Sequence, residues 1–132
     1  MHLCTLALSP PMPNKRVLVV EDDGPTQSLL QALLRRDGYH STIVSNGGHA
    51  IKLLRDQDFD LIVLDLMMPL VSGVTVIESL RDQGRKIPVV VCTAAPMMMG
   101  GFEPGLVSAF IRKPFDIDEL SAAVRLAMSR PV

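Results

Sequence analysis

A chain of 132 residues has room for one domain with a substantial core, and 48% apolar against 20% charged residues is the composition of a globular rather than a disordered protein. Thirteen Lys/Arg against fourteen Asp/Glu leave a formal charge of −1 without any basic run, which argues against direct nucleic-acid binding through bulk electrostatics. Cys4 and Cys92 lack paired spacing, so neither a disulfide framework nor a zinc site is expected, and Cys92 reads as a small core residue.

Residues 1–14 begin with a mildly apolar octapeptide and continue through Pro10, Pro11 and Pro13. No cation precedes the apolar run, which is too short for a signal core or a membrane span. The segment reads as a flexible leader, or as an over-extended start before Met12. No membrane insertion and a cytoplasmic location are expected.

Val17 to Val20 is a short apolar run of the kind buried on both faces of a parallel sheet, and it ends on Glu21, Asp22 and Asp23. Pro25 suits the first turn of a helix capped by Asp23, with Leu29, Leu30, Leu33 and Leu34 facing inward and Gly38 as the stop. Tyr39 to Val44 is a more polar strand suited to a sheet edge. Asn46-Gly47-Gly48 opens a helix with Ala50, Ile51, Leu53 and Leu54 inward and Lys52, Arg55 and Asp56 outward.

Leu61 to Leu64 is a second continuous apolar strand, and it passes directly into Asp65 before Pro69 stops the ladder. Ser72-Gly73 starts a helix with Val74, Ile77 and Leu80 at helical spacing and Gly84 as its stop. Pro88 to Cys92 is another buried strand, ending at Thr93. Residues 96–105, with two prolines, three glycines and Met97-Met98-Met99, are poor material for a regular helix and are expected to be irregular and mobile. Ala109 to Lys113 is a last short strand, and Asp116 caps a helix with Glu119 three residues on and Leu120, Ala123, Val124 and Ala127 inward.

Strands alternating with helix-length crossovers predict an α/β fold, a doubly wound, five-stranded parallel sheet with helices on both faces and an irregular fourth helix region. One domain over residues 15–130 is expected, without an output domain. His2, His40 and His49 show no metal spacing and read as surface residues.

Ligands in open α/β sheets bind at the carboxyl ends of the strands. Those ends carry Glu21, Asp22, Asp65, Thr93 and Lys113. Three carboxylates together repel unless protonated or offset by a cation, and an all-oxygen set suits Mg²⁺, which keeps waters and shares a phosphate. A hydroxyl and an ammonium beside them can donate to a transferring phosphoryl group, so phosphoryl transfer explains the set better than a metal site alone.

The segments Val19-Val20-Glu21-Asp22-Asp23, Leu64-Asp65-Leu66-Met67-Met68-Pro69, Thr93-Ala94 and Lys113-Pro114-Phe115 stand in the order found in response-regulator receiver domains of two-component signalling, which the chain resembles from Val17 to about Met128. The resemblance implies the flavodoxin-like strand order 2-1-3-4-5. It also implies a receiver that is phosphorylated on Asp65 by a sensor histidine kinase or phosphotransfer protein and signals by a conformational switch, not an enzyme beyond its own phosphorylation and slow dephosphorylation. It further implies Mg²⁺ held by Asp22, Asp65 and the backbone carbonyl of Met67, with Glu21 acting through water. Thr93 and Lys113 would meet phosphoryl oxygens, Thr93 and Phe110 would act as the switch, and Lys113-Pro114 would be a cis peptide. Asp23 is expected to be a helix cap rather than a ligand, and Phe110 is also compatible with a simple core role.

The positions that flank the hydrolytic water in the family are here Met67 and Ala95. Neither can orient a water strongly, so slow self-dephosphorylation is expected. The departure from the family pattern lies between Ala95 and Phe110, on a face that partners read. It leaves room for a second reading, a receiver-like interaction module acting independently of phosphate. A flavin carrier or small enzyme on the same architecture lacks a phosphate-binding loop after Val20 and a second catalytic acid.

Overall fold

The computed structural model describes residues 15–68, 71–94 and 107–129. The leader, Pro69, Ala95, and the expected irregularity and mobility of 96–105 all lie outside the described residues.

Runs that are apolar at every position can be satisfied only where both faces of a strand are covered. Strand β1 (Arg16–Val20) buries Val17 to Val20, and β3 (Leu61–Leu64) and β4 (Val89–Thr93) are buried at every position. These three form the centre of the sheet. The more polar β2 (His40–Val44) and β5 (Ala109–Arg112) form its edges, in the order β2-β1-β3-β4-β5 with all four pairings parallel. The anticipated topology is therefore the one observed.

Side chains alternate between faces along each strand, and the core divides accordingly. Val17, Val19, Leu61, Val63, Val90 and Cys92 pack with helices α1 (Gly24–Arg36) and α4 (Ile117–Ser129). Leu18, Val20, Ile62, Leu64, Val89 and Val91 pack with α2 (Gly47–Asp56) and α3 (Gly73–Asp82). Burial pushes the Cys92 thiol up to about 12, so this cysteine is an apolar filler of the first layer.

Local signals explain the helix ends. The Asp23 side chain accepts from the Thr26 amide at 3.0 Å, and Asn46 accepts from the His49 amide at 2.8 Å. Bonds from Thr26 also hold the Asp23 carboxyl below its ordinary value, as befits a cap. Asp116 accepts from the Asp118 amide at 2.7 Å at the head of α4. Gly38 and Gly84 follow α1 and α3 with φ of 92° and 67°.

The inward stripe of α1 is narrower than its four leucines suggest. Leu29 is 40% exposed: the buried face of α1 is Leu30, Leu33 and Leu34, and an adjacent leucine cannot share so narrow a stripe. In α3, Val76, Ile77 and Leu80 are buried and Val74 packs, partly covered, against the same layer.

Candidate functional site

The parallel ladder brings the site together before any side chain is considered. Val20 pairs with Leu64, so the residues that follow them leave the sheet side by side. The Asp65 amide donates to the Val20 carbonyl at 3.0 Å, and the Glu21 amide donates to the Val44 carbonyl at 3.0 Å. At the other side of the sheet the Lys113 amide donates to the Thr93 carbonyl at 2.9 Å. Lys113 therefore leaves β5 level with the end of β4, and its peptide bond to Pro114 is cis, as anticipated.

Glu21 is 2% exposed and Asp65 6%, whereas Asp22 faces solvent. Carboxylate oxygens of the three lie within 4.8 Å of one another. Lys113 Nζ stands between the two buried acids, 2.6 Å from Glu21 Oε1 and 3.1 Å from Asp65 Oδ2. The other Asp65 oxygen accepts from the Met67 amide at 3.0 Å, and the other Glu21 oxygen accepts from the Asp23 amide at 3.1 Å. Five of the predicted site residues, Glu21, Asp22, Asp65, Thr93 and Lys113, thus sit at one edge of the sheet, with Thr93 fully buried.

Burial raises the Glu21 carboxyl above its ordinary value of 4.5, against the pull of Lys113 and the Asp23 amide. Burial also works against the Lys113 charge, but its hydrogen bonds to Glu21 and Asp65 outweigh this and raise the ammonium above 10.5. Lys113 is therefore charged at neutral pH and acts as the cation between the buried acids. A single ammonium thus faces three clustered carboxyl groups. An oxygen-only donor set, with Asp22 open to solvent, fits a hard divalent cation that retains part of its water shell.

Asp23, with its side chain turned to Thr26, is the cap and stands outside the acid cluster. Met67, whose amide is tied to Asp65, leaves its own side chain 56% exposed beside the site. Phe110 is 39% exposed at the β5 edge, which rules out the simple core role.

Two residues that sequence reasoning passed over shape the site. A Cβ on Gly73 would lie 2.4 Å from the Asp65 carbonyl oxygen and 2.8 Å from the Leu66 Cα. Only glycine lets the head of α3 press on the backbone that carries Asp65. A glycine where the first turn of a helix would favour alanine was the available signal. Gln27, in the first turn of α1, donates from its side-chain amide to the Glu21 carbonyl at 2.5 Å and to Ser45 Oγ at 3.2 Å. Nothing in the sequence separates this glutamine from a solvated one.

A central pair of strands delivering buried acids, answered by a lysine from the next strand but one, marks the receiver class of doubly wound signalling domains. The model of the response regulator receiver domain matches residues 17–125, and the chain belongs to that family. It is 35% identical over 119 residues to the transcriptional regulatory protein PcoR of Escherichia coli, covering 88% of this chain and 52% of that one. It is 36% identical over 120 residues to the alkaline phosphatase synthesis transcriptional regulatory protein PhoP of Bacillus subtilis, covering 89% and 50%. The chain thus spans about half the length of the curated relatives it matches.

Among solved structures it is similar to the response regulator TrrA of Thermotoga maritima in complex with Mg²⁺-BeF, with a TM-score of 0.79, 29% identity and coverage of 86% of this chain and 98% of that one. It is also similar to the receiver domain of a sensor histidine kinase from Pseudomonas aeruginosa, solved with a magnesium ion coordinated in its active site cleft. The TM-score there is 0.77, at 28% identity, with coverage of 89% and 99%. Among the described residues no helix is long and apolar enough to cross a membrane.

Proposed function

We propose that this receiver domain takes a phosphoryl group onto an Asp65 carboxylate oxygen from the phosphohistidine of a sensor kinase or phosphotransfer protein. The N–P bond of the donor breaks, an O–P bond to Asp65 forms, and the imidazole of the donor keeps the nitrogen electron pair. The observation that carries the reading is the buried Asp65 held at both oxygens, by the Met67 amide at 3.0 Å and the Lys113 ammonium at 3.1 Å, beside a second buried acid. A carboxylate so held is presented in one orientation to an incoming phosphorus.

Asp22, Asp65 and the Met67 carbonyl would hold Mg²⁺, with Glu21 reaching it through water. When bound, the ion offsets the negative charge on acceptor and phosphoryl oxygens. Lys113 serves twice. It pairs with both buried acids before transfer, and it can swing its ammonium to a phosphoryl oxygen afterwards. The Thr93 hydroxyl, buried at the end of β4, supplies a neutral donor to another oxygen. Phe110, on the strand that leads to Lys113 and partly exposed, would carry the change to the surface.

A small-molecule acyl phosphate with Mg²⁺ should add one phosphoryl group by intact mass, and Asp65→Asn or chelation should abolish the addition. Undiminished labelling of Asp65→Asn would overturn the assignment. A parent protein that stays unmodified while still binding partners would be the phosphate-independent interaction module instead.

A further inference from the structure

The acid pair at the end of β1 sits on a short loop, and its two members are held differently. Glu21 is anchored at every polar group: its amide to the Val44 carbonyl, its carboxylate to Lys113 and the Asp23 amide, and its carbonyl to Gln27. Asp22 faces solvent, so its carboxylate is aimed by the peptide unit that precedes it. That unit begins with the Glu21 carbonyl, which accepts from Gln27 Nε2 at 2.5 Å. The same amide group reaches Ser45 Oγ at 3.2 Å, immediately after β2, so it spans two loops on the same side of the site. Gln27 is itself fixed, since its backbone amide closes the first turn of α1 on the Asp23 carbonyl at 2.9 Å.

We propose that Gln27 is a positioning residue for the cation site, setting the Glu21–Asp22 peptide plane so that the Asp22 carboxylate is delivered beside Asp65. The inference rests on the reading of the acid cluster as a divalent-cation site. Gln27 touches neither the ion nor the phosphoryl group. Its effect passes through the carbonyl it holds, and Ser45 stiffens the amide that does the holding. Removal of an outer hydrogen-bond partner of a metal ligand typically weakens binding about 10- to 100-fold.

The test is calorimetric titration of the metal-free domain with Mg²⁺, and with Mn²⁺ followed by paramagnetic resonance. Gln27→Met keeps length and apolar packing but removes the donor, and should weaken either ion about tenfold while lowering the melting temperature in chelator by only a few degrees, as loss of one part-buried hydrogen bond would. The Asp22 backbone amide resonance should shift in the metal-free state. Ser45→Ala should weaken binding in the same direction by a smaller factor, and it serves as the test if Gln27→Met does not fold. Gln31→Met, one turn along α1 and exposed, should bind as the parent does. Unchanged affinity in Gln27→Met, or an equal loss in Gln31→Met, overturns the positioning role. A parent that binds no divalent ion overturns the cation-site reading and this inference with it.

Discussion

Replacing Lys113 with methionine keeps the length of the side chain and removes its charge. In the metal-free protein this strands Glu21 and Asp65, 2% and 6% exposed, without the ammonium that now lies 2.6 and 3.1 Å from them. At an effective dielectric of about 20, the gross attraction across the shorter contact is roughly 6 kcal/mol, most of it offset by the cost of desolvating both groups. Breaking a buried pair by deleting one partner costs about 3 kcal/mol or more, because a charge stays buried unpaired. For a domain of this size that corresponds to a fall in Tm of roughly 10 °C.

Denaturant or thermal unfolding in chelator should show this loss, and saturating Mg²⁺ should narrow the gap, because the variant has one more uncompensated negative charge to offer the ion. The pH dependence follows from the directions of the shifts. Lys113 has its ammonium raised in the fold, so its stabilisation is fully present below the ordinary value of 10.5 and is lost as the pH rises through the folded value. The gap between parent and variant should close in that alkaline range. Glu21, raised above 4.5, binds a proton more tightly folded than unfolded, so acidification should also soften the cost of the substitution. A variant as stable as the parent in chelator at neutral pH would refute the view of Lys113 as the internal counter-cation.

The phosphoryl group on Asp65 should be long-lived, because the exposed Met67 side chain beside the site cannot orient an attacking water. Phosphoprotein decay in Mg²⁺ buffer measures this. Met67→Asn combined with Ala95→Glu should speed the decay, and loss within seconds in the parent would sink the argument. Ser121, buried on α4, donates to Asp37 Oδ2 at 2.6 Å and so ties α4 to the C-terminal end of α1. Ser121→Ala should cost about 1.5–2 kcal/mol in urea unfolding, the value of a hydrogen bond to a charged acceptor, and a change below a few tenths would refute that coupling.

The sequence by itself determined the doubly wound parallel class, its central strands and the five residues at the strand ends. Continuous apolar runs at Val17–Val20, Leu61–Leu64 and Val89–Cys92 can be buried only as central parallel strands, and a parallel ladder delivers whatever follows each strand to the same edge. Caps are equally local, which is why Asp23 and Asp116 were legible as such. The tertiary structure alone decided what depends on the distance between elements far apart in the chain. Lys113 standing between Glu21 and Asp65 joins residues 92 and 48 positions apart. The exposure of Leu29 depended on how α1 is rolled against the sheet, which periodicity leaves open by a residue on either flank. Gly73 and Gln27 acquired their roles only from what approaches them: the Asp65 backbone within 2.4 Å of a missing Cβ, and a carbonyl within 2.5 Å of a side-chain amide. A glycine at a helix start and a glutamine in a first turn are ordinary residues by type, and only the packing of one element against another makes them specific.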